Sequence, residues 1–177
     1  EYNRQMNDSD LTNGYEEHAE TFIRIRNPEV GVSTVCEWGR SLPTGARVLE
    51  VGCGSGIPIT RALISEGLDV FAVDASPTMV SAFKKNFPDI EVICEAAENL
   101  KGFDQQFDAA IAWGLMFLLT LEAQKTVIRN IGDSLKKGGR FLFTSPEKPL
   151  IWKDSVTDLE SVSLGAVEYE KLLSLAG

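Results

Sequence analysis

The chain has 177 residues, 44% of them hydrophobic, and a formal net charge of -9 at pH 7. That suits one globular domain with a sizeable core and excludes a disordered composition. The acidic balance speaks against a nucleic-acid partner, because phosphate backbones recruit basic surface, and no apolar run approaches the roughly 20 residues of a membrane span.

In chain order, "YEEHAETFIRIR" predicts a first helix after a polar start. "PEVGVSTVCEWGRSL" predicts a second, with Val35, Trp38 and Leu42 at helical spacing. Pro43 and Gly45 then mark a turn. Residues 1–42 are read as a helical cap and 43–177 as an α/β core. In the core, short apolar runs alternate with helical patterns. "ARVLEV", "DVFAV", "IEVIC", "FDAAIAW" and "GRFLFT" read as five strands. Between the second and third lies a helix with Met79, Ala82, Phe83 and Phe87 on one side. Between the fourth and fifth lies another, with Leu121, Ile128, Ile131 and Leu135 inward. "LGAVEYEKLLSLAG" closes the chain as a helix with Tyr169, Leu172 and Leu173 inward. Strands this apolar are expected to be buried on both faces, as parallel strands are. The pattern is a doubly wound, Rossmann-like α/β sheet that binds its ligand at the C-terminal edge of the strands.

Three cysteines, Cys36, Cys53 and Cys94, form no CxxC pair. Their odd number argues against a disulfide framework or a zinc site, so a reducing, cytoplasmic setting and no metal are expected.

The first strand runs into "VGCGSGIPIT", with Gly52, Gly54 and Gly56 at alternate positions and Pro58 at the start of a helix. Glycine lets a backbone turn sharply and lets a ligand come close. A tight turn without a ligand is one reading. A dinucleotide site is another, but its G-x-G-x-x-G spacing is not met, and no lysine follows to make a phosphate loop. Asp74 stands at the end of the second strand, where an acid can accept two ribose hydroxyls. As a helix cap, Asp74 or Ser76 before Pro77 would serve equally.

"VLEVGCGSG", "VDASPTMV", "FDAAIAWGLMFLL" and "LKKGGRFLFTSP", in that order, resemble the class I S-adenosylmethionine-dependent methyltransferases, over roughly Tyr15 to Gly177. The resemblance implies methyl transfer from S-adenosylmethionine to a small-molecule acceptor. The alternatives are a non-catalytic binder and a nicotinamide-dependent dehydrogenase. It places Glu50, Gly52, Cys53, Gly54 and Gly56 at the methionine part of the cofactor, and Asp74 with Ala75 at the ribose. Met79 covers the adenine or serves as helix core. After the third strand the family often has an acid followed by Ala. Ala96 stands at the acid's place, so Glu95 or Glu98 is the candidate substitute, beside Ala97. Ala112 and Trp113 floor the pocket, and Tyr15 closes over the cofactor. Phe117 and Trp152, with Asp154, are acceptor-side candidates. His18, the sole histidine, is expected to be exposed, and no catalytic residue is assigned. "AWGL" in place of "NPPY" after the fourth strand disfavours nucleic-acid base methylation. Relatives continue past the last helix with two more strands. The expectation is therefore a sheet of order 3-2-1-4-5 with strands 6 and 7 missing, the chain truncated at its C-terminus, and an open edge through which a homo-oligomer can form.

Overall fold

The structure is a computed structural model that describes residues 10–101 and 103–177; the first nine residues of the expected cap lie outside the described residues. Two helices come first, α1 (Tyr15–Ile25) and α2 (Val32–Arg40). Then β1 (Arg47–Val51), α3 (Ile59–Ser65), β2 (Asp69–Asp74), α4 (Pro77–Asn86) and β3 (Val92–Cys94) alternate. They are followed by β4 (Phe107–Ala112), α5 (Leu121–Ser134) and β5 (Leu135–Phe143). The five strands pair in the order β3-β2-β1-β4-β5, all parallel, with β5 at one edge.

Both faces of the sheet are covered, as the unbroken apolar runs require. Successive strand residues point to opposite faces. Val48, Val70, Ala109 and Ile111 pack against Val35 of α2 and Ile59, Ala62 and Leu63 of α3. Leu49, Val51, Ala110 and Ala112 face Val127, Ile128 and Ile131 of α5 and Tyr169. Phe83 of α4 fills the space over Ala72 and Val92. Local chemistry fixes the helix starts. Ser76 accepts the Met79 N–H at 3.1 Å ahead of Pro77, and Thr120 accepts the Ala123 N–H at 3.1 Å ahead of α5. Each cap is worth about 1 kcal/mol.

One inward set needs correction. Leu121 is exposed, and Leu135 begins β5 instead of ending α5. Gln124 and Val127 take the inward face in their place. Gln124 is fully buried because its amide is satisfied. Nε2 donates to the carbonyls of Leu119 and Val162, at 3.0 and 2.9 Å, and Oε1 accepts from the Tyr169 hydroxyl at 2.6 Å.

The larger correction concerns strands 6 and 7, expected to be missing. They are present. β6 (Leu150–Lys153) and β7 (Glu160–Ser163) form an antiparallel pair in a separate two-stranded sheet, before α6 (Ala166–Ala176). They were illegible as strands because "ESVS" carries little apolar signal. Of its two buried serines, Ser163 is held by hydrogen bonds, donating to the Pro146 carbonyl at 2.7 Å and accepting from Ser145 at 2.9 Å, while Ser161 Oγ has no partner among the described residues. The Gln124 bond to Val162 ties this hairpin to α5. β7 also packs on the short turn of 3-10 helix at Met116–Leu118, after β4. No helix among the described residues is long and apolar enough to cross a membrane.

Candidate active site

A cavity of about 470 Å³ opens at the C-terminal edge of β1, β2 and β4. Its floor is the loop after β1. The N–H groups of Gly52 and Cys53 both donate to the Val73 carbonyl, at 2.8 and 3.1 Å, folding the loop back over β2. Gly52, Gly54 and Gly56 all have positive φ, +72°, +56° and +80°, which glycine alone adopts without penalty. Their surroundings differ. A Cβ on Gly54 would meet only Met79 Sδ, at 3.9 Å, so this face of the loop is bare backbone turned to the cavity. A Cβ on Gly56 would stand 2.4 Å from the Phe87 ring. Gly56 therefore serves packing against α4, and it does not line the cavity.

Asp74 ends β2 at the cavity wall. Its Oδ2 accepts the Gly54 N–H at 2.8 Å and its Oδ1 the Ser76 N–H at 2.9 Å. Burial raises its pKa, and those two N–H groups oppose the rise. Each oxygen keeps a lone pair for a ligand hydroxyl. Ser76, not Asp74, caps α4. Glu50 lies deeper and is almost wholly buried. Burial pushes its pKa up to about 8, against the pull of Thr60, whose hydroxyl donates to Oε2 at 2.6 Å; the nearby charge of Asp74 adds to the rise.

Past β3, a 3-10 turn at Ala97–Asn99 brings Ala97 and Glu98 to the wall. Glu98 Oε2 is buried without a hydrogen-bond partner among the described residues, and burial raises the carboxyl's pKa. Glu95 also lines the wall, but its carboxylate accepts the Lys101 N–H at 3.3 Å. A buried carboxylate oxygen without a partner calls for a donor.

The opposite wall is aromatic. Trp113 follows β4, and a Cβ on Gly31, which precedes α2, would stand 2.3 Å from its ring; the indole thus rests on bare backbone. The Phe117 and Trp152 rings lie 5.4 Å apart. Helix α1 spans the mouth and is pinned on both sides. On one, the Glu16 carboxylate accepts from the Ser76 hydroxyl, the Thr78 hydroxyl at 2.7 Å and the Thr78 N–H at 3.2 Å. On the other, the Tyr15 hydroxyl donates to Asp154 at 3.3 and 3.4 Å, and burial raises the phenol's pKa. Asp154 Oδ1 also holds its own turn, accepting the N–H groups of Val156 and Thr157.

Of the residues singled out from sequence, the structure brings Tyr15, Glu50, Gly52, Cys53, Gly54, Asp74, Ala75, Met79, Ala97, Glu98, Trp113, Phe117 and Trp152 to one cavity. Gly56 and Ala112 are not brought to it: both sit in packed interior. His18 does not line it either. Sequence reading missed Glu16 and Thr60, which act on other site residues, and Phe22, Arg26 and Leu115, which line the wall. Nothing in their local spacing distinguishes them from helix surface or core.

This arrangement, bare glycine backbone beside a strand-end acid on a 3-2-1-4-5 sheet, defines a class. The family described as "Methyltransferase domain" matches residues 48–139, just over half of the chain. The chain belongs to that family, in agreement with the four motifs. Demethylmenaquinone methyltransferase of Paenarthrobacter aurescens is 32% identical over 127 residues. The match covers 70% of this chain and 48% of the relative, so this chain spans about half that relative's length. Among solved structures, the CcbJ methyltransferase of Streptomyces caelestis superposes with a TM-score of 0.74 at 14% identity, covering 95% of this chain and 88% of the other. The glycopeptide N-methyltransferase MtfA complexed with S-adenosyl-L-methionine gives 0.66 at 18% identity, covering 83% and 82%. At these identities the likeness is one of fold.

Proposed function

We propose that the protein transfers a methyl group from S-adenosylmethionine to a small-molecule acceptor, and that the cavity holds both. The observation that carries this is the pairing of Gly54, whose bare face opens on the cavity, with Asp74, whose carboxylate it orients. Asp74 accepts the ribose hydroxyls, and the Gly52–Gly54 backbone lies against the amino-acid part near Glu50. Met79, already buried beside Gly54, covers one face of the adenine. The Glu98 carboxylate, whose Oε2 has no partner among the described residues, accepts from the adenine amino group. Ala97 contributes backbone.

The bound donor supplies a methyl group on a sulfonium, already a good leaving group. The chain's task is to place the acceptor in line with it and to exclude water. Trp113, Phe117 and Trp152 offer flat apolar surface for the acceptor body, and α1 closes the mouth through Tyr15 and Glu16. Asp154 is engaged by its own turn, and among the described residues no histidine lines the cavity. An acceptor that arrives already deprotonated needs no base from the wall. The demethylmenaquinone methyltransferase likeness makes quinone-like rings the first compounds to try.

Calorimetry and thermal shift with S-adenosylhomocysteine and with NAD test the donor. A ligand at 100 times its Kd stabilises by about 2.7 kcal/mol. Stabilisation by S-adenosylhomocysteine alone is expected, and stabilisation by NAD alone would overturn the reading. A methyl-transfer screen then separates an enzyme from a binder without chemistry.

A further inference from the structure

Ser161 and Ser163 stand two residues apart on β7, both almost wholly buried, at 1% and 2% exposure. Their hydroxyls are answered differently. Ser163 Oγ donates to the Pro146 carbonyl and accepts from the Ser145 hydroxyl and, at 3.1 Å, from the Gly165 N–H. Ser161 Oγ has no hydrogen-bond partner among the described residues. A buried hydroxyl left unpaired is costly, and buried polar groups are as a rule paired with protein or with ordered water.

A small chamber lies at this serine. It measures about 20 Å³ and is lined by Ser161, Asp154, Thr157 and Glu160 of the β6–β7 hairpin, by Asn13 ahead of α1, and by Leu118. Asn13, Leu118 and Asp154 also line the large cavity, so the chamber adjoins it on the side of the hairpin. Size restricts the occupant. A water needs roughly 10–15 Å³ of such space and two to four polar partners. The chamber has room for one water and none for a ligand of several heavy atoms.

The partners are there. Asp154 Oδ1 accepts the N–H groups of Val156 and Thr157, at 2.9 and 3.0 Å. Its Oδ2 has only the Tyr15 hydroxyl, at 3.3 Å, and keeps a lone pair. The Ser161 hydroxyl can donate or accept, and the Asn13 amide can do both. A metal ion fits less well: no cluster of three acidic, histidine or cysteine side chains suited to one occurs among the described residues.

We propose that this chamber binds one ordered water, which accepts from the Ser161 hydroxyl and donates to Asp154 Oδ2. The water joins β7 to the turn of its own hairpin, beside the turn that leads into α1. Ser161 pairs with Trp152 across the hairpin, and directly opposed residues of an antiparallel pair project to the same face. The water is therefore held on the face of the hairpin that sets the Trp152 ring against Phe117. This site does not depend on the identity of the methyl donor or acceptor.

Crystals of the ligand-free wild type that resolve ordered solvent test the site directly. A water within about 3.2 Å of both Ser161 Oγ and Asp154 Oδ2 is expected, and wild-type density without one overturns the proposal. Thermal unfolding of Ser161→Ala gives an independent answer through its sign. With a water bound, the hydroxyl is paired, and losing it should lower the melting temperature by about 2–4 °C. With nothing bound, Ser161→Ala removes an unpaired buried hydroxyl, so the melting temperature stays level or rises. That outcome also overturns the proposal. If Ser161→Ala does not fold, the wild-type crystal decides alone.

Discussion

The two walls of the cavity are built differently. The wall formed by β1, β2 and their loops is made of residues close in sequence and held by backbone. Gly54 N–H to Asp74, Ser76 N–H to Asp74 and Gly52 N–H to Val73 all span about twenty residues or fewer. The aromatic wall joins distant segments through side chains. Tyr15 reaches Asp154, 139 residues away, and Phe117 meets Trp152. A backbone-made wall sits rigidly on a buried parallel sheet and suits an invariant ligand part. A wall of side chains on a helix and a hairpin can vary without disturbing the sheet. In the function proposed above, the first wall takes the cofactor and the second the acceptor.

Two glycines of one loop give the sharpest way to break that division. Gly54→Val places a β-branched residue at φ +56° and fills the bare face turned to the cavity, so S-adenosylhomocysteine binding should fall below detection by calorimetry. Gly56→Ala should do the reverse. Its Cβ would stand 2.4 Å from the Phe87 ring, so the melting temperature should drop while the folded protein keeps its affinity. Equal effects at both sites would show that the loop is not divided between ligand and core.

Asp74→Ala comes next. Losing hydrogen bonds to a charged group costs about 1.5–3 kcal/mol, a tenfold to hundredfold weaker Kd for S-adenosylhomocysteine. The loss of its bonds to Gly54 and Ser76 adds to this. An unchanged Kd would remove Asp74 from the site.

A smaller effect should appear in the pH dependence of stability. Glu50 has a folded pKa of about 8 against an ordinary 4.5, mainly through burial. Between those values the folded state holds a proton that the unfolded chain has released. Its contribution is complete below the unfolded pKa and is lost as pH rises through the folded one. The ligand-free protein should therefore melt at lower temperature as pH goes from 5 to 9, and Glu50→Gln should flatten that slope. Parallel curves for the two proteins would mean that Glu50 ionises normally.

The mildest change is expected at the mouth. Tyr15→Phe removes a long hydrogen bond to Asp154, worth less than about 1 kcal/mol. Affinity for S-adenosylhomocysteine should stay within twofold by calorimetry. A tenfold loss would place Tyr15 in the cofactor wall instead.

The sequence by itself determined the succession of strands and helices, the strand-to-helix glycine loop and the acid at the end of β2, while the sheet order came from the family resemblance. Each depends on residues near one another in the chain, and period and turn chemistry register at that range. Even within the loop it could not tell Gly54 from Gly56, because positive φ is common to both and only the neighbours Met79 and Phe87 differ. The tertiary structure alone decided the β6–β7 hairpin, whose buried serines carry no strand periodicity and of which Ser163 is satisfied by the distant Pro146 carbonyl. It alone brought Glu16 of α1 onto Ser76 and Thr78, and Arg26 into the cavity. A side chain's partner across sixty residues or more is set by how helices pack on the sheet, and local spacing does not encode it.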